Sequence, residues 1–210
     1  MDKIIINVGR QIGSGGRAVA RLLAEEFGCK FYDREILNLA AKESGFSEKF
    51  FEQIDENKGF LRSLFRSVHP MLSHGTDMYG NQFSQEGLFR FQSIAILKAA
   101  QEGSCVFVGR CADYILRDMD NVVNVFITAD MEDRITAVSS RLGCGEEEAR
   151  KKIVQGENHR ASYYNYYTGK KWGHSDGYDL CVNTSRLGIE GTAAFISDFI
   201  RKNEANRNNK

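Results

Sequence analysis

Five short, mostly apolar runs rich in β-branched residues are spaced along this chain, at residues 4–8, 30–32, 105–108, 122–127 and 180–182. A strand covered on one face alternates apolar with polar residues, whereas a strand buried on both faces reads as a near-continuous apolar run. These runs are of the second kind, and helix-patterned segments lie between them. That order predicts α/β architecture with a five-stranded parallel sheet between two helical layers. Residues 16–27 place Val19, Leu22, Leu23 and Phe27 on one side of a helix that Gly28 closes. Further helices are expected at 33–43, at 47–54 with Ser47 as its cap, and at 84–100 with Leu88, Phe91, Ala95 and Leu97 inward. Another starts at Asp130, and one at 189–200 carries Phe195, Ile196, Phe199 and Ile200 as its apolar face. Residues 1–202 read as a single domain, followed by a polar, frayed tail at 203–210.

Two stretches interrupt the alternation: residues 57–84, which hold the only proline, Pro70, and residues 141–177, rich in charge and then in tyrosine. Both are expected to be substrate-covering segments, the first on the acceptor side and the second as a lid. The plainer reading is two surface insertions. The chain has 28 basic and 28 acidic residues. That balance argues against a general nucleic-acid or membrane-surface binder, although it permits a local basic pocket. No run reaches the roughly 18 apolar residues of a membrane span. The five cysteines include no C-x-x-C pair and the four histidines show no ligand spacing, so reduced thiols, no metal site and a cytoplasmic setting are expected.

Between the first strand and the first helix lies Val8-Gly9-Arg10-Gln11-Ile12-Gly13-Ser14-Gly15-Gly16-Arg17. Glycines at 13, 15 and 16 let the backbone turn tightly and approach a ligand without Cβ clashes. The first N–H groups of the following helix lack internal partners and, with the helix dipole, favour an anion. Gly13, Ser14, Gly15, Gly16 and Arg17 are therefore the candidate phosphate-binding residues. Against the standard loop G-x-x-x-x-G-K-[ST], Arg10 stands at the first glycine and Gly16 at the lysine. Arg17, one position later, is the candidate replacement cation. A planar guanidinium is not a compact ammonium, and a badly placed donor costs about 3 kcal/mol of barrier.

The loop Gly13-Ser14-Gly15-Gly16-Arg17 is followed by Tyr32-Asp33-Arg34-Glu35-Ile36-Leu37 and by Val108-Gly109-Arg110-Cys111-Ala112-Asp113-Tyr114-Ile115-Leu116. Asn158-His159-Arg160-Ala161-Ser162-Tyr163-Tyr164 and Tyr178-Asp179-Leu180-Cys181-Val182-Asn183-Thr184-Ser185 complete an ordered set. In this set the chain resembles the cytidylate-kinase-like family over most of its length. The resemblance implies a P-loop kinase fold with monophosphate-binding and lid insertions, and transfer of the ATP γ-phosphate to CMP or dCMP with Mg²⁺.

By that resemblance Asp33 stands near the acceptor's sugar, with a helix N-cap as the alternative. Arg110 holds the acceptor phosphate, Asp179 belongs to the base pocket, and Arg160 is the lid arginine, with Glu157 where the family usually has aspartate. Arg17, Arg110 and Arg160 are the candidate catalytic cations; Asp33, Arg110 and Asp179 are the candidate acceptor residues. Arg134 and Arg141 are weaker candidates that also read as solvated helix charges. Tyr163, Tyr164, Tyr166, Tyr167 and Trp172 suit either base stacking or packing of a lid onto its own domain. Two other functions stay open: a P-loop kinase with another small-molecule acceptor, and a nucleotide-binding regulator without turnover.

Overall fold

The computed structural model describes residues 3–33 and 85–208. The expected helices at 33–43 and 47–54, and the insertion at 57–84, fall outside these residues. The chain divides into two compact units, Met1–Asp33 with Glu102–Lys210, and Arg34–Gln101. The second unit is described only through helix α2, Gln85–Glu102. Leu88, Ala95 and Ile96 are buried in it, whereas Leu97 is 38% exposed. The inward assignment of Leu97 is thus corrected to its neighbour Ile96, since a helix aims consecutive residues about 100° apart.

The first unit holds all five expected strands: β1 Ile5–Arg10, β2 Lys30–Tyr32, β3 Cys105–Val108, β4 Val122–Thr128 and β5 Leu180–Asn183. They form one sheet in the order β2-β3-β1-β4-β5, every neighbouring pair parallel. The fold is the three-layer α/β/α P-loop kinase fold. Helix α1, Gly16–Glu26, and helix α6, Thr184–Asn208, cover one face. There Ile4, Ile6 and Val8 alternate inward against Val19, Ala20, Leu23, Ile196 and Ile200. The short helix α3, Ala112–Ile115, follows β3. Helices α4, Met131–Leu142, and α5, Glu146–Thr168, pack on each other through Ile135, Val138, Ala149 and Ile153.

Helix α6 departs from expectation in two ways. It continues to Asn208, so the frayed tail expected from residue 203 is corrected to helix through residue 208, and residues 209–210 lie outside the described residues. It also bends at Gly188, whose φ of 68° is not helical. Phe195, expected on the apolar face, is 50% exposed, while Ile196 and Ile200 carry the contact. The strand order places the ligand crevice. From β1 the chain passes outward to β2, but from β3 it crosses back past β1 to β4. Right-handed crossovers in opposite directions leave on opposite faces, which opens a crevice at the carboxyl ends of β1 and β3.

Candidate active site

The glycine loop sits at the carboxyl end of β1 in a shape that few side chains tolerate. Gly13 and Gly15 have φ of 82° and 72°, in the left-handed region. A Cβ on Gly13 would lie 2.7 Å from the Arg134 carbonyl oxygen, so that glycine also answers a close approach. Ser14 is buried and turns its hydroxyl back onto the Gln11 carbonyl at 2.9 Å. Among the described residues no acceptor reaches the N–H groups of Gly13, Ser14 or Gly15. Three adjacent peptide donors at the start of α1 make a concavity suited to phosphate oxygens.

The loop is braced from behind. The Ile12 N–H donates to Glu157 Oε1 at 3.1 Å, and the Ile12 carbonyl accepts from Arg134 Nε at 2.8 Å. Arg134 and Glu157 are themselves ion-paired. The Arg134 side chain is only 4% exposed, which corrects the reading of it as a solvated helix charge. The Ser14 carbonyl accepts from Thr184 Oγ1 at 2.8 Å. Arg160, on α5, donates through Nη1 to the Arg10 carbonyl at 3.0 Å.

Arginines gather in front of the loop. Arg17 Nε lies 2.5 Å from Asp33 Oδ2, and Arg10 Nη2 lies 3.9 Å from Asp33 Oδ1. Asp33 is buried at the end of β2 and holds two guanidiniums in place. Burial chiefly, then the nearby Arg160, Arg110 and Arg17, lower Arg10 to about 9, with Asp33 pulling the other way. Burial also lowers Arg160, against the pull of Glu157 and Asp33 and together with the push of Arg110 and Arg141. Like charges so close in a half-dry crevice repel one another, and an anion among them relieves that repulsion.

Arg110 joins the group through an unusual backbone. Gly109, Arg110 and Cys111 have φ of 75°, 62° and 56°, three left-handed residues in a row. For Arg110 and Cys111 this costs about 1–3 kcal/mol each. The start of α3 supports the turn, with Ala112 N–H donating to the Gly109 carbonyl and Ile115 N–H to that of Cys111. Backbone strain of this kind gathers at ligand-binding sites.

Four sequence-derived positions thus come together: the loop 13–17, Asp33, Arg110 and Arg160. Asp179 does not join them. It precedes β5 at the amino end of that parallel strand, is exposed, and accepts from the Asn124 N–H at 2.7 Å. Its assignment to the base pocket is therefore corrected to a backbone cap between β4 and β5. Arg141 is exposed. The aromatic cluster divides: Tyr164 is buried and donates to Asp113 Oδ2 at 2.6 Å, Trp172 stands edge-on to Phe126 at 5.4 Å between centroids, and Tyr166 is 71% exposed. Arg10 is the residue that the sequence reading passed over, although it continues the inward face of Ile4, Ile6 and Val8.

Among the described residues no three His, Cys, Asp or Glu side chains converge on a metal site, and no helix is long and apolar enough to cross a membrane.

Comparison with known proteins gives a consistent picture. The chain is 30% identical over 201 residues to the cytidylate kinase of Pyrococcus horikoshii, covering 95% of this chain and 89% of that protein. It is 29% identical over 199 residues to the cytidylate kinase of Pyrococcus abyssi, covering 94% and 93%. A solved uncharacterized protein from Eubacterium ventriosum superposes with a TM-score of 0.72 at 27% identity, covering 95% of this chain and 99% of that one. A shikimate kinase from Bacteroides thetaiotaomicron shares the fold, with a TM-score of 0.53 at 13% identity over 94% and 98% of the chains. The family model of the cytidylate kinase-like family matches residues 5–186, and this protein belongs to that family.

Proposed function

We propose that this protein is a nucleoside monophosphate kinase that moves the γ-phosphate of MgATP to CMP or dCMP. The observation that carries the reading is the meeting of Arg10, Arg17, Arg110 and Arg160 around Asp33, in front of the donors of Gly13–Gly15. Phosphoryl transfer asks little covalent chemistry of a protein. It needs two charged nucleotides held in line, their charge neutralised and water kept out. The loop amides and α1 are suited to the donor's phosphates. Arg110, which follows β3, would bind the acceptor phosphate, and Arg160, which holds the Arg10 carbonyl from α5, would bind the transferring one. Asp33 orients Arg17 and Arg10, and its carboxylate could also accept from a sugar hydroxyl. Residues 141–177 would act as the lid that carries Arg160.

Magnesium would arrive with the nucleotide. Arg17 stands where the standard loop has Ser or Thr, the Ser14 hydroxyl is turned to Gln11, and Asp33 is engaged by two arginines. The donor set around the loop therefore fits an ion held by phosphate oxygens and water. When bound, it neutralises phosphate charge; the protein's own part is positioning by amides and guanidiniums.

The test is product formation with ATP, Mg²⁺ and a panel of nucleoside monophosphates and small-molecule alcohols. CDP or dCDP formation, lowered about 10²–10³-fold by Arg110→Ala and by Arg160→Ala, is expected. Transfer only to a non-nucleotide acceptor refutes the substrate, and ATP binding without transfer to any acceptor refutes the enzyme.

A further inference from the structure

The lysine missing from the loop has left a space, and another residue fills it. A Cβ on Gly16 would lie 2.5 Å from the Arg10 Cβ and 3.1 Å from the Ile127 Cβ. No side chain at position 16 fits while Arg10 keeps its course. At its far end the same arginine covers Gly109, where a Cβ would lie 2.2 Å from Arg10 Nη1. Arg10 therefore starts over the first residue of α1 and ends over the turn after β3, beside Asp33. It spans the crevice between β1 and β3, with the loop donors on one side and Arg110 on the other.

The strand explains this course. Ile4, Ile6 and Val8 point toward α1 in the core. Position 10 continues that face by the two-residue period of a strand, just where α1 begins and the core ends. An apolar residue there would face the phosphate cradle. Arginine instead lays its stem over Gly16 and carries its charge into the crevice. In the standard loop, position 10 is glycine and position 16 is lysine. Here the two have exchanged bulk: side chain at 10, none at 16.

We propose that Arg10 supplies the phosphate-binding cation that lysine supplies in a standard loop, and that Gly16 is glycine to make room for it. The proposal deepens the kinase reading and rests on it. Arg10 then contacts the oxygens of the transferring phosphoryl group directly, and Arg17 serves as its partner on Asp33. The guanidinium offers two parallel donors in place of one ammonium, so it can bridge donor and acceptor phosphates at once.

The test is a double-mutant cycle read in two ways: MgATP affinity by calorimetry, and the rate of CDP formation. Arg10→Gly and Gly16→Lys are each expected to lower the rate about 10²–10³-fold, the first by losing the cation and the second by collision with Arg10. The double variant Arg10→Gly/Gly16→Lys, which restores the standard pattern, is expected to recover at least tenfold over the worse single variant in both readouts. Arg10→Met, which keeps the stem, separates loss of charge from loss of packing. It should melt as a folded protein and transfer phosphate no faster than Arg10→Gly.

A double variant no better than the worse single one, or an Arg10→Met protein with the wild-type rate, overturns the proposal while leaving the kinase reading intact. If the unaltered protein transfers phosphate to no acceptor, that reading fails, and recovery of MgATP affinity in the cycle alone decides the role of Arg10. Absence of MgATP binding by the unaltered protein overturns both.

Discussion

Replacing Arg10 by methionine should make the ligand-free protein more stable and its ligand-bound form less so. Burial and the neighbouring guanidiniums hold Arg10 at about 9, well below the ordinary arginine value. The folded state thus binds this proton more weakly than the unfolded chain does. The charge opposes folding at every pH below about 9, and it does so fully at neutral pH. Between three and four tenfold steps correspond to about 5 kcal/mol as a ceiling. The Arg10 side chain is 22% exposed and pairs with Asp33 at 3.9 Å, so relaxation by water and loss of that pair cut the gain to about 1–2 kcal/mol. For a protein of this size that is a rise of about 2–8 °C in melting temperature.

The ligand arm runs the other way. At a pyrophosphate concentration a hundred times the wild-type Kd, binding stabilises by about 2.7 kcal/mol; a hundredfold weaker variant gains only about 0.4. Differential scanning calorimetry at pH 7, with and without pyrophosphate, measures both arms. An Arg10→Met protein that melts lower without ligand, yet keeps the full pyrophosphate shift, would refute the claim that repulsion among these arginines is stored for an anion.

Three other outcomes follow from the same structure. Gly13→Ala, which forces a Cβ to 2.7 Å from the Arg134 carbonyl at a φ of 82°, should lose MgATP binding, whereas Gly28→Ala, at a φ of 62° in open space, should cost about 1 kcal/mol and leave binding unchanged; calorimetric titration separates them. Arg134→Ala leaves Glu157 half-buried without its cation and should cost about 3–5 kcal/mol in urea unfolding, with Glu157→Gln in the same background recovering part of it. Asp113 is raised above the ordinary carboxylate value by burial, against the hydrogen bond from Tyr164. Its ionisation therefore disfavours the fold, and the stability it lends below about pH 4 is lost as pH rises; the melting temperature of Asp113→Asn relative to wild type should climb from pH 4 to pH 7.

The sheet was legible because strands buried on both faces leave little choice of residue. Each of the five runs forms a strand within a residue or two of the expected bounds, as at Cys105–Val108. The loop was legible because a strand, three glycines and a helix have a shared geometric reason. Elsewhere local pattern was too coarse. Phe195 and Ile196, or Ile96 and Leu97, are equally apolar neighbours, and only the packing partner chooses between them. Arg134 and Glu157 are 23 residues apart on different helices, so nothing local announces that they meet. Arg10 carried a signal that was available, an inward strand position holding a cation beside a glycine where lysine is usual. Reading it required knowing which face of β1 meets the first turn of α1. Asp179 was misplaced because resemblance transfers an identity without the strand end at which it stands.

The bracing of the loop has a kinetic meaning. Helix α5 holds the Ile12 N–H through Glu157 and grips the Arg10 carbonyl with Arg160, while Arg134 of α4 holds the Ile12 carbonyl and pairs with Glu157. If this helix swung outward it would strip partners from two consecutive stretches of the loop, at about 1–3 kcal/mol for each group left bare. Under the proposed kinase function, opening and loss of grip on the nucleotide would be one event, so product departure would be gated by the same few hydrogen bonds that shape the cradle, and their strength would set the rhythm of turnover.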